Sequence, residues 1–444
     1  MTATVYGYAN PLTDWFNVKS PQFGAIGNGT ADDSAAVAAA VSAAISAGNT
    51  VVYLPAGTYR IGSPVPLLGP VTFQGAGGDA TVLKLANGVN DYLVKFAQAS
   101  GAITRARFAD LQINGNAANQ TAGGGILAAG AVECSFERVH FTSCYNWGLE
   151  LGPQPGGAFG HHNRIRGCTF DGAANAGYGG GGWATSSDEN FWSGCDFQYL
   201  GGASAPGGAS FPVMLYDQAG LQHIENCVFV GSRGQGAVQV TGVQSQNANQ
   251  TKLIGCTFDG VGGDNYLCAG TDCIVTGNTF TSIGDQCPNA GAAAGVHLQF
   301  GALRCTVTGN NLSSSGTNGR TGWLIYEQQI GSSGSNVIEA NTLRVNGTIA
   351  VAKLATAGIA SIVRSNIGYN PVGALVPPSV PGSGTPLVNP YNVDASVFIA
   401  GGTVTVIALD GATTGLTSGQ FTIPAASSIT LTYSVAPSWI WFGW

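Results

Sequence analysis

IRGCTF at 165–170, FWSGCDF at 191–197, IENCVF at 224–229 and LIGCTF at 253–258 are one phrase written four times. VTGNTF at 275–280, VTGNNL at 307–312, IEANTL at 338–343 and VRSNIG at 363–368 continue it with Asn in place of Cys. The anchor residues Cys168, Cys195, Cys227, Cys256, Asn278, Asn310, Asn341 and Asn366 recur at intervals of 22 to 32 residues. Helical-hairpin repeats hold their length far better than that, whereas a coil of short strands tolerates loops of any size at its corners. The phrase therefore predicts a solenoid of stacked strands. Each anchor is expected inside a tight bend, and Asn suits such a bend because it accepts φ > 0. Coils about 4.8 Å apart would set these side chains in a ladder, thiols first and amides after. Val139-His140-Phe141 and Leu111-Gln112-Ile113 are weaker copies, so coiling begins before residue 111.

Composition agrees with this reading. Charged residues make up 9% of the 444, and Gly reaches 68, which fits buried strands with Gly-rich corners. A formal charge of −7 leaves little Lys and Arg to collect phosphates, which argues against a nucleic-acid partner. No run of apolar residues is long enough to span a bilayer, so no membrane insertion is expected, and MTATVYGYANPLTDW lacks the build of a secretory leader. Ten cysteines would suggest disulfides, but the ladder sets their side chains parallel, which is poor geometry for a bridge. Buried free thiols are expected instead, with Cys273 and Cys305 in a second short ladder. Cys268, Cys273, Cys287 and Cys305 follow the coil period and match no zinc spacing, so no metal is assigned.

The ends read differently from the middle. Residues 1–16 form a lead-in. Within 17–62, Asp33 or Ser34 can start a helix whose Val37, Val41 and Ile45 make one apolar stripe, and Gly48 stops it. Laid across the first coil, such a helix would cover the open end of the 63–375 solenoid. Pro and Gly in VPPSVPGSGTPLVNP mark 376–390 as a linker, and 391–444 alternate as the strands of a small module with Trp439, Trp441 and Trp444 at its edge.

Asn17-Val18, Phe23-Gly24-Ala25, Gly27-Asn28-Gly29, Asp32-Asp33-Ser34, Val51-Val52-Tyr53-Leu54-Pro55 and Gly57-Thr58-Tyr59 together resemble the opening of pectate-lyase-like right-handed parallel β-helices. The tail resembles those of phage tail proteins. The resemblance implies an all-β, right-handed parallel β-helix with an N-terminal capping helix and a small C-terminal β-sandwich-like module. Its superfamily includes polysaccharide lyases, glycoside hydrolases, isomerases and bacteriophage tailspikes, and the tailspikes are usually homotrimers. The polygalacturonase motifs and a calcium-binding group of aspartates are absent, so no cofactor is assigned and calcium has no motif behind it.

Site residues must then come from the coil itself. WGLELG at 147–152, FPVMLYDQ at 211–218, GAVQVTG at 236–242, GVHLQFG at 295–301 and GWLIYEQ at 322–328 are a second family of strands. With Val213, Leu215, Val296, Leu298, Trp323 and Ile325 pointing in, Glu150, Tyr216, Gln239, His297, Gln299 and Tyr326 face out along one side. Loops carrying Trp147, Trp183 and Trp192 would wall that stripe, and a long sugar chain needs such hydrogen bonds and stacking. Trp147, Trp183, Tyr216, Gln239, His297, Gln299 and Tyr326 are the substrate-binding candidates. Glu150 and Asp217, two coils or about 10 Å apart, are the candidate acid and base of inverting glycoside hydrolysis, with Asp188 and Glu189 between them. The expectation is a phage-type tail or tailspike protein of the virion tail that binds, and as an enzyme depolymerises, bacterial surface polysaccharide. The alternatives are a secreted, extracellular polysaccharide lyase or hydrolase and a non-catalytic adhesive solenoid.

Overall fold

The computed structural model describes residues 15–48, 50–153, 159–172, 179–200, 213–231, 240–284, 293–314, 321–328, 334–345, 353–354, 361–368, 373–391 and 393–443. Over most of its length the chain is a right-handed parallel β-solenoid. Each bend phrase but the last forms two three- or four-residue strands, such as Arg164–Arg166 and Thr169–Asp171, which pair in parallel with the same strands one coil away. A second sheet runs along the flank through strands that include Trp147–Leu151, Val213–Asp217, Ala293–Leu298 and Thr321–Glu327. A third, smaller sheet contains Gly160–His161 and Ser187–Asp188.

The bend uses its residues in a way the sequence half reveals. All eight anchors point inward and are buried. The φ > 0 residue is not the anchor but the one before it: Gly167, Gly194, Asn226, Gly255, Gly277, Gly309, Ala340 and Ser365 have φ from +53° to +66°. Gly fits there because it lacks the Cβ that penalises left-handed backbone, and Ala340 is the residue least suited to it. The anchor side chain is thus released to satisfy main-chain groups of neighbouring coils. Asn310 Nδ2 donates to the Val275 carbonyl at 2.9 Å, and Asn310 Oδ1 accepts from the Asn278 backbone N–H at 2.9 Å. Thiols do half of this: Cys195 Sγ donates to the Ile165 carbonyl at 3.4 Å. Cys134, Asn163, Asn190, Gln222, Thr251, Cys273, Cys305, Asn336 and Ser361 make a parallel row at the next corner, far longer than the two-cysteine ladder expected there.

Phe141, Phe170, Phe197, Phe229, Phe258 and Phe280 stack face to face beside the anchors, with centroids 4.6 to 4.8 Å apart. That spacing is the coil rise, so the sheet places each ring in offset contact with the next. All nine described cysteines are free and buried; Cys287 lies outside the described residues. Burial pushes the Cys134 thiol up to about 11 and Cys144 up to about 12. Cys268, Cys273 and Cys305 converge inside the core with Sγ atoms within 4.8 Å of one another.

Helix Ser34–Ser46 buries Val37, Ala40, Val41 and Ala44 in the solenoid core, with Ile45 partly buried against it. Asp33 ties the preceding loop rather than bonding the helix N-terminus, since its carboxylate accepts from the N–H groups of Ile26 at 2.7 Å and Gly27 at 3.1 Å. At the other end, two four-stranded antiparallel sheets share a separate core around Val397, Ile407, Phe421, Leu431 and Trp441. The stretch read as a linker belongs to this module. Pro386–Val388 pairs with Ser428–Val435, and the Trp439 indole donates to the Pro378 carbonyl at 2.8 Å. Trp439 and Trp441 are core residues rather than edge residues; Trp444 lies outside the described residues.

Candidate functional site

The flank sheet aligns one outward residue per coil. Strand register runs Lys95, Leu127, Glu150, Trp183, Tyr216, Gln244, Leu267, His297 and Tyr326, each beside the next. The residues before them, such as Leu149, Leu215, Val296 and Ile325, lie in the core, and the row turns away from it, although Tyr216, Gln244 and Leu267 in its middle are buried. With about 4.8 Å per coil, Glu150 and His297 stand five coils or roughly 24 Å apart. Gln299 follows on the same side just past the end of its strand, and Gln239 lies outside the described residues.

Alternation along the strand removes the proposed acid and base pair. Asp217 follows outward Tyr216 and therefore points into the core, where it is 1% exposed. Its carboxylate accepts from Thr251 Oγ1 at 2.6 Å and from the N–H groups of Gly220 at 2.9 Å and Ala219 at 3.0 Å. Burial pushes it up to about 6 despite those bonds. Glu327 repeats the arrangement, buried and accepting from Asn336 Nδ2 at 2.7 Å. Glu150 does face out, bonded by the Tyr92 hydroxyl, and desolvation raises its carboxyl above the ordinary range. Asp188 and Glu189 belong to the third sheet and its corner, not to this row.

The aromatic candidates form two groups. Trp147, Trp183 and Tyr216 pack together with centroids 5.6 to 6.4 Å apart. Trp147 lies flat over the next coil because that coil offers Gly180: a Cβ there would sit 1.8 Å from Trp147 Cζ3. Trp147 and Tyr216 are buried, and Trp183 is the half-exposed member, its Nε1 donating to Gln218 Oε1 at 2.9 Å. All of these tryptophans sit on strands rather than loops, and Trp192 points into the core with its Nε1 on Gln222 Oε1 at 3.1 Å.

The second group is built around His297. Its Nδ1 lies 2.8 Å from Asp264 Oδ2, its Nε2 3.3 Å from Gln328 Oε1, and its ring 4.8 Å from that of Tyr326. Asp264 is itself fixed by the Ala294 N–H at 2.8 Å. Trp323, expected inside, stacks on Tyr326 at 4.0 Å, because Leu324 and Ile325 between them both enter the core, as Met214 and Leu215 do, so the strand does not alternate strictly. A carboxylate only accepts, so the His297 Nδ1 that faces Asp264 carries a proton, and its Nε2 faces the side-chain amide of Gln328. Tyr326 adds a phenol and an aromatic face.

Residues 15–147 match the family model for rhamnogalacturonase A/epimerase, pectate lyase-like. The mannuronan C5-epimerase AlgE3 of Azotobacter vinelandii is 39% identical over 116 residues, covering 24% of this chain and 6% of that protein. The chain spans 6 to 20% of the length of the curated relatives it matches. Among solved structures, ORF18 of Geobacillus virus E2 aligns over 96% of this chain and 78% of its own, with 18% identity and a TM-score of 0.58. A mutant tailspike of E. coli bacteriophage HK620, solved with a pentasaccharide, aligns over 97% of this chain and 93% of its own, with 12% identity and a TM-score of 0.56. The solved structures establish the β-solenoid fold, and the pectate lyase-like match is confined to residues 15–147.

Proposed function

We propose that this chain is a tail- or tailspike-type protein that holds a polysaccharide along the outward row of the flank sheet and depolymerises it at His297. The observation that carries the proposal is the register: side chains 150, 183, 216, 244, 267, 297 and 326 occupy successive rungs of one rigid sheet. The row is accessible in two stretches, Glu150 with Trp183 and His297 with Tyr326, separated by buried Tyr216, Gln244 and Leu267, and Trp183 and Tyr326 supply an aromatic face to each stretch. The pentasaccharide-bound tailspike shares this solenoid, which supports a glycan as the ligand. Bacterial surface polysaccharide is the substrate class proposed, and the virion tail the location.

The chemistry follows from what the flank contains. The expected carboxylate pair is lost, since Asp217 is inside. An acid-oriented histidine beside a tyrosine suits proton transfer at a sugar ring: His297 Nε2 removes the proton on the carbon next to a uronate carboxylate, and Tyr326 protonates the departing glycosidic oxygen. The product carries a carbon–carbon double bond, so the reaction is an elimination. A homotrimer is the proposed assembly, and Phe398, Ile440 and Phe442, exposed on one face of the C-terminal module, offer it an apolar surface.

The test is a panel of bacterial surface and uronate polysaccharides incubated with the protein, followed by ultraviolet absorbance of unsaturated products and by reducing ends. Absorbance that rises with wild type and fails with His297→Ala supports the elimination. Reducing ends without absorbance would replace it with hydrolysis, and retention of no glycan by wild-type protein would sink the proposal.

A further inference from the structure

The corner beside the third sheet holds a cluster the flank does not use. Strand Gly160–His161 ends at His162, whose φ of +57° turns its side chain away from the coil. Glu189, φ +51°, occupies the same corner one coil on. His161 Nδ1 and His162 Nδ1 face each other at 2.9 Å, with the rings nearly perpendicular. On its far side, His162 Nε2 lies 2.5 Å from Glu189 Oε2.

That carboxylate decides the tautomer. Glu189 accepts, so the Nε2 of His162 carries the proton and its Nδ1 presents a lone pair. The two Nδ1 atoms lie side by side, so one cation off the line between them can serve both. Two nitrogens bound at 2.0–2.1 Å to one ion stand about 2.9 to 3.4 Å apart for octahedral to tetrahedral angles. The observed 2.9 Å is within that span. A histidine that coordinates through one nitrogen and gives the other to a carboxylate is a recurrent metal-site arrangement. Asp188, the register partner of His161, adds negative charge beside the position.

We propose that His161 and His162 form a divalent transition-metal site on the outer corner of the solenoid, with Glu189 fixing His162 in its coordinating tautomer. Imidazole donors with open positions suit Zn2+, Ni2+ or Cu2+ rather than Ca2+ or Mg2+. The site is separate from the flank and stands or falls independently of the glycan reading.

The experiment is titration of the intact protein with Co2+ and with Zn2+, followed by visible absorption and calorimetry. One equivalent is expected, with ligand-field bands of a nitrogen and oxygen set and no sulfur-to-cobalt charge transfer. His161→Ala and His162→Asn should each weaken binding at least tenfold with unchanged circular dichroism; Asn is chosen because it tolerates the left-handed backbone. Glu189→Gln should weaken it by about 10- to 100-fold. If a variant does not fold, wild type still decides: Zn2+ should protect both histidines from diethyl pyrocarbonate, mapped by peptide mass. No binding, binding that both histidine variants retain, a sulfur charge-transfer band from the buried thiols, or unprotected histidines would each overturn the proposal.

Discussion

Removing the Asn310 side chain tests the anchor row where its wiring is densest. Its Nδ2 donates to the Val275 carbonyl at 2.9 Å and to Asn341 Oδ1 at 2.9 Å, while its Oδ1 accepts from Asn278 N–H at 2.9 Å and Asn278 Nδ2 at 3.0 Å. Asn278 Nδ2 keeps the Leu253 carbonyl, and Asn341 Oδ1 keeps the Asn310 N–H. Asn310→Ala therefore strands two main-chain groups, the Val275 carbonyl and the Asn278 N–H. At about 1–3 kcal/mol for each buried orphan, the cost is about 2–6 kcal/mol. Asn310→Cys recreates the chemistry of positions 168 to 256: the thiol restores a donor to the carbonyl and leaves the N–H unmet, so roughly half the loss should return. Urea unfolding followed by circular dichroism and by tryptophan fluorescence measures both variants, and disagreement between the probes would expose any intermediate. A loss below about 1 kcal/mol for the alanine variant, or a cysteine variant no more stable than alanine, would refute the assignment of the row as a main-chain connector.

Asp217 makes a pH-dependent prediction. Its carboxyl is raised from 3.8 to about 6, so the folded state holds the proton more tightly than the unfolded chain. Its stabilising contribution is complete below about pH 4 and is lost as pH rises through 6, by about 3 kcal/mol at most. Asp217→Asn should gain stability relative to wild type between pH 4 and pH 8, read from melting temperatures; an unchanged difference would contradict the burial argument. Phe229→Ala opens the ring stack at its middle and should cost about 3–5 kcal/mol in the same urea assay, with Phe229→Leu recovering most of it. Trp183→Ala should weaken glycan retention and, because the ring packs partly buried on Trp147 and Tyr216, also lower the melting temperature, whereas Trp183→Phe should restore the melting temperature before it restores retention. Ile440→Lys should shift a trimer towards monomer in light scattering, and a trimer that persists would move the assembly surface elsewhere.

Most of the fold was legible because the repeat phrase carries its own geometry. A Gly, Asn or Ser before each anchor announces a left-handed corner, and Ala340 is read there only because its neighbours fit the phrase. Alternation from Leu215 already puts Asp217 inside, and the expectation that a carboxylate faces water is what argued otherwise. Three further features had no local signal. Asp264 reaches His297 from 33 residues upstream, across coils of unequal length that hide their register. Tyr92 meets Glu150 over 58 residues for the same reason. Trp323 turned outward because Leu324 and Ile325 both face the core, a break in alternation that no residue type marks. The Pro and Gly run before Pro386 reads as a linker by composition, yet Tyr433 and Trp439 hold it to the module by bonds to its carbonyls.

The anchor rows give this molecule an unusual grammar of inheritance. Every rung presents the same connectors above and below, so a whole coil can be gained or dropped by recombination between neighbouring phrases without new chemistry at the seam. Each such event would lengthen or shorten the outward row by one step of about 4.8 Å. Reach along a polymer is then a quantity selection can count in whole units, while the bulges and side loops of single coils vary the fine discrimination.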